Sequence, residues 1–260
     1  MTHDNICLAV KGRGVARLFV CFALLTGVAS AQLSQKQPAD ALAKDSLAAA
    51  MDRLSHGTFF RVDINRVAEA GAVKAIPDLE KQFSLTQDEA SREAIASVLV
   101  RLGGDKEGTY WDYLVTGALS VIDSDAPNPV DYDSKGNLIP GPAPEFVAWA
   151  KSHGLKPDAA ETAATLDSPG KVLYLGESRD QRAIPLLQRA LSSPNFMIET
   201  FAAQGLEKLQ SKASIPLIIE ACRRAPAGAA GQIAAFSLAR FDDPVAKNAA
   251  KEFMPVRQAK

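Results

Sequence analysis

The chain has 260 residues, 47% of them hydrophobic, and balances 29 lysines and arginines against 30 aspartates and glutamates. A formal charge of −1 lacks the basic excess of a nucleic-acid binder or of a protein drawn to an anionic membrane. Three cysteines in this length exclude a disulfide-stapled miniature fold and leave stability to an apolar core.

Residues 1–31 read as a secretory signal. Lys11, Arg13 and Arg17 form a positive start, Leu18 to Ala29 is a mostly apolar run, and Ala29-Ser30-Ala31 offers small residues for cleavage before Gln32. The run is shorter than the roughly 20 apolar residues of a membrane span. Cys21 lies inside it rather than just after it, unlike a lipoprotein anchor. The expected localisation is therefore export, to the periplasm or outside the cell, with no integral membrane segment after signal removal. Cys7 and Cys21 leave with the signal, and 26 basic residues then face 29 acidic ones. The remaining Cys222 follows Ile215 by two helical turns, as a small buried apolar residue would.

Residues 32–37 are expected to form a flexible leader, 38–253 the folded domain and 254–260 a tail. Asp40 to Leu54 carries alanine and leucine at helical spacing, and Phe59 to Glu69 offers a second helix, which together make a divergent first unit. A phrase then recurs: AIPDLEKQF from Ala75, AIPLLQRAL from Ala183 and SIPLIIEAC from Ser214. Each is followed by a second amphipathic run, ending at Leu102, Leu209 and Phe241, so the unit is a pair of short helices. Ile184, Leu187 and Leu191 make one apolar stripe, which Phe201, Ala202, Leu206 and Leu209 face from the partner helix. Alanines such as Ala94, Ala96, Ala202, Ala203, Ala234 and Ala235 fill the second helices and let neighbouring units approach. Pro77, Pro185 and Pro216 lie in opening turns, where a missing amide costs least.

Ile184 and Ile215 are 31 residues apart, whereas Ile76 and Ile184 are 108 apart, or three periods plus 15. Two further units and an insertion are therefore expected between them. Tyr110 to Ile122 and Glu145 to His153 read as helices, and Asp158 to Leu166 with Lys171 to Leu175 as a shorter pair. The insertion is 123–144, whose five prolines and two glycines forbid a helix. It reads as a β-hairpin, with Val130 and Tyr132 entering, a turn over Ser134 to Asn137, and Leu138 and Ile139 leaving. Asp131, Asp133, Gly136 and Asn137 resemble the opening of a calcium loop, but Lys135 occupies a ligand position and no glutamate falls at the twelfth place. The hairpin either folds over its own helices, with Tyr132 on Trp149 or Trp111, or projects as an aromatic, acidic finger. Pro244 to Phe253 is a final helix, with Asp242 or Asp243 as its cap.

These strings resemble a known family. LGESRDQRAIPLLQRAL and RLGGDKEGTYWDYL are similar to the HEAT repeat, in the short version found in phycobilin lyases and bacterial adaptor proteins. Asp180, Ala183, Ile184, Pro185 and Leu186 match its Asp before Ala-Ile-Pro-Leu, and Ser214, Ile215, Pro216 and Leu217 match with serine for alanine. Ala75, Ile76, Pro77 and Leu79 match more loosely. The resemblance spans Val67 to Phe253 and implies an all-α fold, a right-handed α-solenoid of HEAT-like helix pairs. It implies another protein or peptide as partner and no cofactor.

Three function classes follow. The expected one is a non-catalytic scaffold or adaptor of the bacterial cell envelope, binding through the second helices, with Tyr132, Phe146 and Trp149 as candidate partner-binding residues. The alternative is a small-ligand pocket beneath 123–144, lined by the same three residues. An enzyme of the lyase type comes last. His56 and His153 stand far apart, and no zinc, nucleophile-elbow, phosphate-loop or dinucleotide motif occurs, so no catalytic or metal residue is proposed.

Overall fold

A computed structural model of the chain describes residues 46–133, 137–157 and 168–254. Within them run twelve α-helices: α1 (Leu47–His56), α2 (Arg61–Glu69), α3 (Ile76–Leu85), α4 (Glu89–Arg101), α5 (Thr109–Ile122), α6 (Pro144–Ser152), α7 (Ser168–Glu177), α8 (Ile184–Ala190), α9 (Phe196–Lys208), α10 (Ile215–Arg224), α11 (Ala227–Phe236) and α12 (Pro244–Phe253). The proposed signal, the leader, the stretch 158–167 and the tail after Met254 lie outside the described residues.

The helices pack as pairs, α1 with α2, α3 with α4, α5 with α7, α8 with α9 and α10 with α11, and α12 closes on α11. Each second helix also packs on the next, in the order α2, α4, α7, α9, α11. One core runs along this layer from Leu54 to Ala250 and includes Leu79, Leu99, Leu114, Leu175, Leu187, Leu206 and Ile233, all buried.

The repeated phrase has one local structure. A 3-10 turn (Val73–Ala75, Gln181–Ala183, Lys212–Ser214) runs directly into α3, α8 and α10, with the proline second in each helix. An amide missing at that place is one the helix could not have satisfied internally. Asp180 begins the middle unit by accepting from the Arg182 amide at 2.9 Å and from its guanidinium. Asp105 does the same for α5, accepting from the amides of Tyr110 and Trp111. Asp243 caps α12 through the amides of Val245 and Ala246. At the first pair Asp63, wholly buried, takes two bonds from Arg53 and one from the Phe60 amide.

One expectation is corrected. Helices over 110–122 and 171–175 do not belong to separate units, since α5 and α7 pack on each other as one pair. Their connection, 123–167, is an excursion that contains α6. Apolar stripes show that a helix buries a face without naming the helix that covers it, and only the tertiary contacts supply the partner.

Within the excursion Tyr132 and Leu138 form an isolated antiparallel bridge, flanked by Asp133 N–H to Asn137 O and Ile139 N–H to Asp131 O, each 2.8 Å. The Asp133 carboxylate accepts from the Asn137 amide and side chain. The turn expected over Ser134 to Asn137 lies largely outside the described residues.

Candidate functional site

Small residues at one crossing let two second helices come close. Gly176 of α7 and Gly205 of α9 meet backbone to backbone: a Cβ on Gly176 would lie 2.2 Å from the Gly205 Cα. Beside this contact the carboxyl-terminal parts of α2, α4, α7 and α9 border a shallow groove. Asn65, Glu69, Arg101, Glu177, Arg179 and Lys208 line it, over a floor that includes Ser97 and Val98. Its cavity of about 70 Å³ admits a carboxylate-sized group and falls well short of the roughly 300 Å³ and more of small-molecule sites.

Three cations, Arg101, Arg179 and Lys208, share the groove with two carboxylates, Glu69 and Glu177. Glu177 is engaged by Arg61 at 3.5 Å and by Lys208 at 3.4 Å. Arg101 and Arg179 have no ion pair or hydrogen-bonded side chain among the described residues. Burial lowers the Arg101 pKa and the charge of Arg179 lowers it further, opposed by the charges of Glu69 and Glu177. Two guanidinium groups thus share one small groove without an ion pair to either among the described residues.

Arg179 also has a left-handed backbone, with φ of 55°. The same place after α2 and α4 holds Gly71 and Gly103, and after α9 it holds Gln210. There the chain reverses out of the helix, as when the Ala72 amide reaches Val67 O, Gly104 reaches Leu99 O and Ser211 reaches Leu206 O. Glycine adopts this conformation freely, and other residues do so at a cost.

A second polar cluster centres on the buried Glu93. Burial pushes the Glu93 carboxyl up to about 8, against the opposing charges of Lys171 and Arg61. Lys171 pairs with Glu89 at 2.9 Å, and Arg61 donates to the Tyr174 hydroxyl while its guanidinium lies over the Tyr174 ring. Gly117 of α5 packs beside the Glu93 carboxylate. Further along, burial pushes the Glu199 carboxyl up to about 7 although Arg224 donates to it at 3.0 Å. Burial also pushes the Cys222 thiol up to about 12, as befits a core residue.

Of the three residues singled out in the sequence, the structure brings two together. Phe146 is fully buried and stacks on Trp149 at 5.6 Å, within a small cluster with Ala143 and Ala150. The Tyr132 ring meets Phe196, at the start of α9, edge-on at 5.5 Å. The rings expected beneath Tyr132 have other companions: Trp149 lies beside His153 and donates to Asp125, and Trp111 carries the Arg182 guanidinium. Arg189 of α8 pairs with Asp123, so the excursion is also tied back to the stack there.

Sequence reading missed the groove, because Arg101, Glu177, Arg179 and Lys208 come from three helices and a turn. The legible signal was the residue that closes each second helix, glycine twice and arginine or glutamine afterwards. Residues 172–239, from α7 to the turn after α11, match a family model of HEAT repeats. The match supports a HEAT-repeat protein, and the twelve helices and absence of strands among the described residues agree with an α-solenoid. HEAT repeats commonly mediate contacts between proteins and are typically non-catalytic. No curated protein and no solved structure matches the chain.

Proposed function

We propose that this chain is a non-catalytic scaffold or adaptor, a right-handed HEAT-type solenoid exported to the periplasm or beyond the cell, which holds a protein partner in a cell-envelope assembly. The observation that carries this reading is the polar groove spanning four consecutive second helices, the layer on which stacked repeats offer a continuous surface. The amino-terminal segment supports export through its charge, apolar run and small residues. The contacts of Tyr132 with Phe196 and of Asp123 with Arg189 favour the excursion as a cover over its own stack.

A photo-crosslinking amino acid placed at Asn65 or Gln204, on second helices, and at Lys81 or Glu220, on first helices, tests the reading in the native cell envelope. Adducts with one protein from the second-helix positions, absent from the first-helix positions, are expected. Adducts from the first helices alone would overturn the assignment of the binding face, and a protein recovered from the cytosol alone would overturn the envelope setting.

A further inference from the structure

We propose that Arg101 and Arg179 together clamp a carboxylate of an acidic peptide segment in the partner protein. This rests on the scaffold reading and names the chemistry of its partner.

Arg101 ends α4 and is half-buried; Arg179 follows α7 and is exposed. Both line the one groove, neither has an ion pair among the described residues, and the charge of Arg179 disfavours that of Arg101, against Glu69 and Glu177. A cation in the last turn of a helix complements the helix dipole, which accounts for Arg101 and for Lys208 on α9. It does not account for Arg179, which lies beyond the end of α7 with φ of 55°. The equivalent places after α2 and α4 are glycine. A long cationic side chain thus stands where glycine serves the turn better, and it stands beside a second cation.

The occupant follows from the groove. An anion between the two guanidinium groups replaces their repulsion with two charge-assisted contacts, and the planar fork of arginine suits a carboxylate in particular. The space, about 70 Å³, holds one such group. Glu177 does not compete for the arginines, because Arg61 and Lys208 already hold it. Glu69 lies at one edge, in the last turn of α2, and gives the site polarity along the layer. An extended acidic peptide segment, with its carboxylates spaced along a flexible backbone, fits a groove in which three cations outnumber two carboxylates.

The test uses the mature chain and a fluorescein-labelled octaglutamate peptide, with octalysine and a glycine-serine octamer as comparisons, read by anisotropy at low salt. Binding of the glutamate peptide alone is expected, weakened as salt rises. It should fall at least tenfold in the Arg101→Gln/Arg179→Gln variant, return in part with Arg179→Lys, and be unchanged in Lys247→Gln on α12. The double variant removes a repulsion, so its thermal midpoint should be no lower than that of the parent chain, and this confirms folding. Absence of glutamate-peptide binding, equal binding of all three peptides, or undiminished binding by the double variant overturns the proposal. So does tighter binding of a DNA oligonucleotide or of phosphatidylglycerol vesicles that the double variant loses. Photo-crosslinking from Asn65 separates the two readings: an adduct that forms equally in the double variant keeps the scaffold and discards the clamp.

Discussion

Glu93 shows how much one side chain depends on its surroundings. On α4 it packs beside Gly117, and burial, with the charges of Glu89 and Asp88 adding to it and those of Lys171 and Arg61 opposing it, raises its carboxyl to about 8 from an ordinary 4.5. A carboxyl raised on folding stabilises the native state fully below its unfolded pKa, and that stability is lost as pH rises through the folded value. The thermal midpoint of the parent chain should therefore fall between pH 5 and pH 9. Glu93→Gln should give a shallower slope, leaving the smaller contribution of Glu199, which titrates near 7. At pH 9 the variant should be the more stable, by about 2 kcal/mol, on the order of 5 °C in midpoint. Calorimetry across that range checks it, and parallel slopes would refute it. Glu93 directly precedes the run AIASVLV, but its neighbours Lys171 and Gly117 come from other helices, so its environment was not legible in the sequence.

Among the elements, the ends of the second helices are the informative places. α2 and α4 close through Gly71 and Gly103, whereas α9 closes through Gln210 with φ of 50°. Gln210 makes a local bond from its side chain to Glu207 O and accepts one from the Asp242 amide, which partly offsets the strained backbone. Gln210→Gly should still gain stability, by roughly 0.5–1 kcal/mol, because relief of a left-handed conformation exceeds what two exposed bonds supply. A chemical-denaturation midpoint that falls instead would show that the Gln210 bonds dominate. The helix starts follow more simply from residue type. Asp105, Asp180, Asn195 and Asp243 each accept from amides of the helix or 3-10 turn that they open, and short polar side chains before an apolar run announce this function without any tertiary information.

Across the whole molecule, stability depends on contacts between neighbouring pairs, since each pair has one helix in a shared layer. One close contact of this kind is Gly176 against Gly205, between the third and fourth pairs. Gly176→Ala places a methyl group 2.2 Å from the Gly205 Cα, so the helices must separate. A loss of roughly 2–3 kcal/mol is expected, larger than the ordinary helix-propensity gain of alanine over glycine. Unfolding should also lose cooperativity, with α1–α5 and α8–α12 exchanging amide hydrogens at different rates. Uniform exchange with an unchanged midpoint would show that the two halves do not communicate through this crossing.

The sequence by itself determined the repeating pair, proline in its opening turn, the cap of α12, and the break over 123–144, because these depend on residues within one or two helical turns. It overcounted the pairs: the helices over 110–122 and 171–175 are equally amphipathic whether they meet each other or separate partners. Tertiary structure alone decided that α5 and α7 pair across 123–167, that Tyr132 lies on Phe196, and that Arg101 and Arg179 share a groove with a neutralised Glu177. Burial and Coulomb energy depend on distance in space, and residues from α2 to α9 acquire a common environment only when the second helices stack.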